Sequence, residues 1–154
     1  MKHTDEKPTR DSNPRLLSAD PIAETRILPP VTEANAAFWT SGASGTWQLP
    51  RCGDCRTFIH PGQPLCPLCL TDTLRPEPVT GNGTVFTYTI NRYPWLPGWK
   101  VPFVAAVVEL DDQPRLRVTA NLVDVEPEDV TIGMRVTVAF IHTDDRWVPV
   151  FRPA

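Results

Sequence analysis

The sequence predicts a mainly β protein with a short N-terminal helix, a cysteine-rich ribbon and a small C-terminal barrel. Three observations support this fold class. All four cysteines lie in two CxxC pairs within residues 51–70, and 18 prolines stand against only 8 glycines, which disfavours long helices. Five short apolar runs typical of β-strands follow the cysteines. With 154 residues, the chain fits one ordinary domain or two small ones.

Residues 1–29 are predicted to form a mobile N-terminal tail, because their first part is polar, mixed in charge and almost free of large apolar side chains. This stretch contains no apolar run of the kind found in signal peptides. No segment of the chain reaches the roughly 18 apolar residues that a membrane-spanning helix needs. We therefore expect a cytoplasmic protein that has no contact with a membrane.

Residues 30–78 are predicted to form the helix and the ribbon. The segment PVTEANAAFWTSG contains helix-favouring alanines, Thr32 is suited to the N-cap position, and Gly42 stands where the helix must end. The segment GTWQLPRC then predicts a short strand that leads into the first cysteine pair.

Ten residues separate the two CxxC pairs, which contain Cys52, Cys55, Cys66 and Cys69. One CxxC turn directs two thiolates to the same ion, so two turns complete the tetrahedral shell that Zn²⁺ prefers. Redox chemistry or disulfides are the alternatives, but a reducing cytoplasm favours metal binding. Because four cysteines fill every coordination position, the predicted zinc is structural and not catalytic.

Four thiolates around a divalent ion leave two negative charges, and nearby cations are expected to offset them. The candidates are Arg51, Arg56 and Arg75. His60 lies between the two pairs, and we interpret it as a solvent-facing residue of the ribbon loop and not as a fifth ligand.

Residues 79–154 are predicted to form an OB-fold of five strands. Alternation places Phe86, Tyr88 and Ile90 on one face of the first strand, and the run FVAAVVEL forms the second. The third and fourth strands each present one apolar stripe, made of Leu116, Val118, Ala120 and Leu122 and of Met134, Val136, Val138 and Phe140. With a last strand at WVPVF, this pattern is typical of the five-stranded OB barrel.

No catalytic residue is predicted. The three histidines lie in the tail, in the ribbon loop and at a strand end, so they indicate no triad; they are His3, His60 and His142. The acidic pairs fall in predicted turns, where solvated carboxylates are ordinary, and no glycine-rich phosphate loop is present.

The segment NRYPWLPGWKVPF, between the first two barrel strands, concentrates aromatic and cationic side chains: Arg92, Tyr93, Trp95, Trp99, Lys100 and Phe103. Three interpretations stay open. The segment caps the barrel, stacks the bases of a single-stranded nucleic acid, or forms a surface for a partner or ligand, where tryptophan and arginine are enriched. The net charge of −3 counts against nucleic acid, because no overall positive field attracts phosphates.

The motifs RCGDC, CPLC, GNGTVFTYT, VPFVAAVVEL and IGMRVTVAF, preceded by a helix that ends in FW, together resemble the acyl-CoA-associated family called domain of unknown function 35 (DUF35). The resemblance covers about residues 30–154. It implies an N-terminal helix, a rubredoxin-like zinc ribbon with the four cysteines as ligands, and a C-terminal OB-fold.

The resemblance also implies a function. DUF35 proteins accompany thiolase-superfamily enzymes or acyl-CoA hydratases, so we expect an accessory subunit that stabilises a thiolase-like or lipid-transfer-like partner and helps form its acyl-CoA site. The expected partner is an aldolase of steroid side-chain degradation, which is a retro-aldol lyase, or a thiolase. The alternatives are a partner of an acyl-CoA hydratase and a stand-alone OB-fold protein that binds single-stranded nucleic acid.

Overall fold

The structure, a computed structural model, describes residues 13–154. Within them, one α-helix, α1 (Ala36–Thr40), runs into a 3₁₀ turn at Ser41–Ser44, and a second 3₁₀ turn spans Pro127–Asp129. The strands are β1 (Gln48–Cys52), β2 (Leu74–Pro78), β3 (Asn82–Asn91), β4 (Phe103–Leu110), β5 (Arg117–Leu122), β6 (Arg135–Thr143) and β7 (Arg146–Pro153). Among the helices of this part of the chain, none is long and apolar enough to cross a membrane.

The strands form two sheets. β1 and β2 pair antiparallel and frame the cysteine segment between them. The other five strands close into a barrel in the order β3-β4-β5-β7-β6, with antiparallel neighbours except for the parallel contact between β5 and β7. The predicted fold class is therefore confirmed: a mainly β chain with one short helix near its N-terminus and a five-stranded closed barrel.

The inward stripes predicted for the third and fourth barrel strands fill the core. Leu122 on β5 and Phe140 on β6 are buried, as are Val118, Val136 and Val138. Trp47 stands just before β1 and is fully buried in the same cluster. Its ring faces Phe140 and Phe151 at centroid distances of 6.5 and 6.1 Å, so the barrel core extends to the base of the ribbon.

Phe86 lies on the opposite face from the one predicted. Tyr88 and Ile90 pack against the core, but the register between β3 and β4 shifts between Val85 and Thr87, which marks a β-bulge. Phe86 is 45% exposed, and the Arg117 guanidinium lies 3.6 Å from its ring centroid. The prediction was wrong because the two-residue period holds only where the register is uninterrupted.

Residues 13–28, which we call the strap, lie along the outside of the barrel. The backbone of Leu17 donates to the Phe140 carbonyl (2.9 Å), and Phe140 donates to the Arg15 carbonyl (2.8 Å). This part of the strap thus extends the sheet at β6, beyond the residues that pair with β3. Farther along, strap residues cover apolar side chains on the outer face of β6 and β7, namely Ala139, Ile141, Val148 and Val150.

The strap falls within the predicted mobile tail. Residues 1–12 of that tail lie outside the described residues. The boundaries predicted after residues 29 and 78 stay predictions.

α1 begins later than predicted. Its N-cap is Asn35 and not Thr32, and Asn35 makes no side-chain capping bond. Instead, the Asn35 side chain accepts a hydrogen bond from the Thr32 backbone (2.7 Å) and donates one to the Pro30 carbonyl (3.2 Å). Together with the backbone bond from Asn35 to the Thr32 carbonyl (3.2 Å), these bonds close a turn before α1, because the Asn35 side chain offers this backbone an alternative to helical hydrogen bonds.

Gly62 lies where the ribbon loop meets the backbone before α1. A Cβ atom at this position would overlap the carbonyl oxygen of Ala34. We expect Gly62→Ala to lower the free energy of unfolding by about 1–3 kcal/mol, because one of the two backbones must shift. Gln63→Ala is the control, since this neighbouring side chain is exposed, and its effect should stay within about 0.5 kcal/mol. Equal denaturation midpoints for both variants would contradict the close approach.

Candidate functional site

The four cysteines converge at the end of the ribbon. Their Sγ atoms all lie within 4.8 Å of one another, and the closest pairs are Cys52 with Cys69 (3.5 Å) and Cys55 with Cys66 (3.6 Å). None of them forms a disulfide. A tetrahedral ion with Zn–S bonds of 2.3 Å would hold its sulfurs about 3.8 Å apart. The donor set therefore fits a metal ion such as zinc, and the predicted zinc-ribbon-like cluster is confirmed.

Two turns of the same backbone design present these sulfurs. In the first turn, Cys52 donates its N–H to Thr57 and accepts from the N–H of Arg56; in the second, Cys66 does the same with Thr71 and Leu70. The fourth residue after each leading cysteine, Arg56 or Leu70, has a positive φ of 62°. Two turns of the same design therefore bring the four sulfurs together.

Hydroxyl and amide donors surround the sulfurs. The Thr71 hydroxyl lies 3.5 Å from Cys52 Sγ and 3.2 Å from Cys69 Sγ. Without metal, this hydroxyl and the backbone N–H of Cys55 lower the pKa of Cys52 to about 5. The backbone bond from Cys69 lowers the pKa of Cys66, but burial and the adjacent thiols outweigh it and raise this pKa to about 11. Metal binding would therefore release protons from the cluster.

The three arginines expected to offset the thiolate charge bond elsewhere. Arg51 and Arg56 form ion pairs with Glu77 at 3.1 and 2.8 Å, and Arg75 donates to the Leu74 carbonyl at 2.6 Å. Glu77 lies on β2 opposite the first cysteine strand. The Glu77 carboxylate attracts Arg51 and Arg56, so the polar groups that contact the sulfurs are hydroxyls and backbone amides.

The two histidines of the described chain stack on aromatic rings. His60 lies over Phe38 with 4.9 Å between centroids, and His142 lies over Trp147 with 4.4 Å. His60 is thus partly buried between the ribbon and α1, and not a solvent-facing loop residue as we predicted. Burial lowers the pKa of His60 to about 4. His3 lies outside the described residues.

The segment 92–102, which we call the aromatic loop, divides its aromatic side chains between solvent and the protein. Tyr93 and Trp95 are 62% and 73% exposed, and their rings contact each other at 4.7 Å. Trp99 instead packs on Phe103 at 5.2 Å and joins the apolar cluster under the strap. The predicted contact residues therefore form an outward pair and an inward pair.

Polar groups order the outward pair. The Trp95 indole N–H donates to the Asn91 side-chain oxygen (2.9 Å), and the Asn91 amide donates to the Tyr93 carbonyl (2.6 Å). Arg92 pairs with Glu128 at 2.7 Å, and Lys100 is exposed. Sequence reasoning did not single out Asn91, although its position just before a proline-rich loop was a signal. With its N–H satisfied internally, Trp95 presents an apolar surface.

Comparison with known proteins places the chain in a family. Residues 76–140 match the family model described as the ChsH2 C-terminal OB-fold domain. A chain of the solved Ltp2-ChsH2(DUF35) aldolase is 34% identical to this chain and superposes with a TM-score of 0.72. The match covers 82% of this chain and 98% of the aldolase chain. The chain belongs to the DUF35 family.

Two curated relatives are longer proteins. The probable enoyl-CoA hydratase alpha subunit of Thermomonospora curvata is 33% identical over 84% of this chain and 40% of the relative. The 3-oxo-4,17-pregnadiene-20-carboxyl-CoA hydratase alpha subunit of Mycobacterium tuberculosis is 31% identical over 86% of this chain and 42% of the relative. The chain thus spans about two fifths of the length of these relatives.

The barrel surface gives little support to nucleic-acid binding. OB-folds bind strands with the face of their second and third strands and the loops beside it. Here, Arg117 on that face pairs with Glu109 at 2.8 Å. The strap also contacts the aromatic loop before β4, where the backbone N–H of Lys100 donates to the Ile22 carbonyl (2.8 Å), and just after the strap the Pro29 carbonyl accepts from the Arg146 side chain at the start of β7. Because a carboxylate already pairs with the Arg117 guanidinium, this face has one cation fewer available to neutralise phosphates.

Substitution of a cluster cysteine tests the metal centre. We expect Cys52→Ser to release the metal and unfold the ribbon, because binding to a structural zinc site and folding are coupled and contribute on the order of 10 kcal/mol. Metal content by mass spectrometry and the thermal midpoint measure the outcome. Thr80→Ser, outside the ribbon, is the control. A Cys52→Ser protein with unchanged metal content and midpoint would contradict the assignment.

His60 predicts a pH dependence of stability. Its pKa is about 4 in the folded chain and 6.5 as the ordinary value, so the unfolded chain binds more protons between these values. The contribution of neutral His60 to the free energy of unfolding is fully present above pH 6.5 and is lost as the pH falls towards 4. Relative to His60→Phe, the wild-type chain should lose about 2 kcal/mol of unfolding free energy between pH 7 and 5. If urea denaturation gave the wild-type chain and His60→Phe the same dependence of unfolding free energy on pH, this prediction would be refuted. Both proteins contain the same cysteine cluster, so its own pH dependence cancels from the comparison.

Proposed function

We propose that this chain is an accessory, zinc-containing subunit of a thiolase-superfamily enzyme that acts on an acyl-CoA. The observation that carries the proposal is its likeness to a chain of the Ltp2-ChsH2(DUF35) aldolase, at 34% identity over 98% of that chain. The likeness covers the ribbon and the barrel together. The favoured partner is therefore a thiolase-like or lipid-transfer-like aldolase, and the favoured reaction is retro-aldol cleavage in steroid side-chain degradation.

The outward pair of the aromatic loop supports a role in contacting that partner. Tyr93 and Trp95 present large exposed surfaces, and Leu96 and Val101 add exposed apolar area in the same loop. Two hydrogen bonds with the Asn91 side chain, one donated to the Tyr93 carbonyl and one accepted from the Trp95 indole, hold the pair in place in the absence of a partner. Rigid aromatic side chains make good interface anchors, because little conformational entropy remains to be lost on binding.

The ribbon supports the proposal by a different route. Four thiolates leave no open coordination position for substrate, so the zinc would act on structure. The ribbon packs against the segment around α1, where His60 stacks on Phe38. In this proposal the chemistry belongs to the partner, while the metal holds the ribbon in the shape that the complex needs.

A partner of the hydratase class is the second candidate. Two relatives of 33% and 31% identity are hydratase alpha subunits, one of them for a steroid-derived acyl-CoA. Both candidates share the acyl-CoA class of substrate. Co-expression with an aldolase and with a hydratase subunit, followed by assays of retro-aldol cleavage and of hydration with the purified complexes, distinguishes them. The proposal would be overturned if the chain formed a stable, active complex with neither the aldolase nor the hydratase subunit.

Paired tryptophan substitutions test the contact surface. We expect Trp95→Ala to weaken partner binding by about 2 kcal/mol, roughly thirtyfold, with little change in the thermal midpoint. Trp99→Ala is the matched control, because this inward side chain packs on Phe103 and its loss should mainly lower stability. Calorimetric binding and thermal unfolding of both variants provide the measurement. Unchanged affinity in Trp95→Ala would remove the loop from the interface.

A further inference from the structure

The returning end of the aromatic loop is held by the strap. Gly98 accepts a hydrogen bond from the Glu24 backbone at 3.1 Å, and Lys100 donates to the Ile22 carbonyl at 2.8 Å. Ala23 and Trp99 thus form an antiparallel bridge between the two segments. The other end of the loop continues directly from β3. The strap is therefore a second support for the loop, at the end where β4 has not yet begun.

A largely covered ion pair fixes this part of the strap. Arg26 donates to both carboxylate oxygens of Asp20, at 2.5 and 3.1 Å, and the two side chains are 8% and 13% exposed. The backbone N–H groups of Ile22 and Ala23 donate to the same carboxylate at 2.9 and 3.1 Å. Asp20 thereby closes a tight turn around the two residues that lie beside the loop.

The same arginine connects the turn to the barrel and to the loop. Its third bond goes to the Asn121 side-chain oxygen on β5 (2.9 Å), and Asn121 in turn donates to the Val104 carbonyl on β4 (3.0 Å). The Arg26 guanidinium also lies 5.3 Å from the Trp99 ring centroid. One side chain therefore contacts the strap turn, the barrel wall and the inward aromatic residue of the loop.

We propose that Asp20 and Arg26 are positioning residues for the aromatic loop, which they hold through the strap. The two charged side chains are largely covered, so removing one partner leaves the other uncompensated and opens the turn. The returning end of the loop then loses its two backbone bonds and its contact at Trp99. For partner binding, which rests on the function proposed above, the loosened loop must be ordered again on association, and affinity falls about tenfold.

Hydrogen exchange of the isolated 154-residue chain tests the positioning without any partner. We expect Asp20→Asn to speed exchange of the Lys100 and Glu24 amides at least tenfold, because these N–H groups make the bonds between strap and loop. Amides in β4, β5 and β6 should keep their wild-type rates. Arg26→Lys keeps the charge and loses the two-pronged contact, so it should show the same pattern more weakly.

Asp111→Asn is the matched control, because it removes an exposed Asp111–Arg135 pair on the barrel and should leave the Lys100 and Glu24 amides unchanged. Unchanged exchange of these amides in both Asp20→Asn and Arg26→Lys overturns the inference, as does faster exchange spread evenly over the barrel strands. If Asp20→Asn does not fold, Arg26→Lys alone decides.

The binding consequence is measured with the partner subunit that forms a complex with the wild-type chain. Asp20→Asn should bind it about tenfold more weakly, with Asp111→Asn unchanged. Equal affinity of Asp20→Asn and wild type, alongside weakened binding by Trp95→Ala, overturns the role in binding. Unchanged affinity in Trp95→Ala instead contradicts the proposed contact surface, while the exchange result for the isolated chain stands by itself.

Discussion

The fully buried side chain of Trp47 connects the three parts of this structure. Its ring lies 5.4 Å from Phe38 of the helix and 6.5 and 6.1 Å from Phe140 and Phe151 of the barrel, and its indole N–H donates to the Phe38 carbonyl. Because Trp47 stands directly before β1, the ribbon continues from this contact. The helix, ribbon and barrel therefore share one core at their junction, and the orientation of the cysteine cluster depends on that packing.

Two kinds of constraint hold the candidate functional groups. In the ribbon, two identical turns and, in our proposal, a metal ion fix four sulfurs by local geometry. At the barrel, the aromatic loop is fixed by contacts between residues distant in sequence: Asn91 orders the outward pair, and the strap holds the returning end. The geometry of the cysteine turns depends only on nearby residues, so substitutions elsewhere leave it unchanged. The position of the aromatic loop depends on distant segments, so substitutions in those segments change it.

The same loop shows why aromatic composition is ambiguous by itself. Trp95 and Trp99 are four residues apart in one proline-rich segment, yet one is 73% exposed and the other packs on Phe103. The inward pair, Trp99 and Phe103, packs on the outer face of β6 and β7 under the strap, and the outward pair stays exposed. A contact role for the outward pair remains our proposal. Which residue faces inward depends on the strap, whose position the loop sequence does not encode.

The sequence by itself determined what depends on short range. CxxC spacing predicted the cysteine cluster, and apolar runs together with two-residue alternation predicted the barrel strands and the inward stripes on β5 and β6, because turns and pleats are properties of neighbouring residues. Tertiary structure alone decided the rest. A register shift between β3 and β4 turned Phe86 outward. His60 became partly buried because its ring stacks on Phe38. Docking of the strap covered the outer face of β6 and connected Asp20 and Arg26 to Asn121. These features arise from contacts between segments far apart in the chain, which no local pattern records.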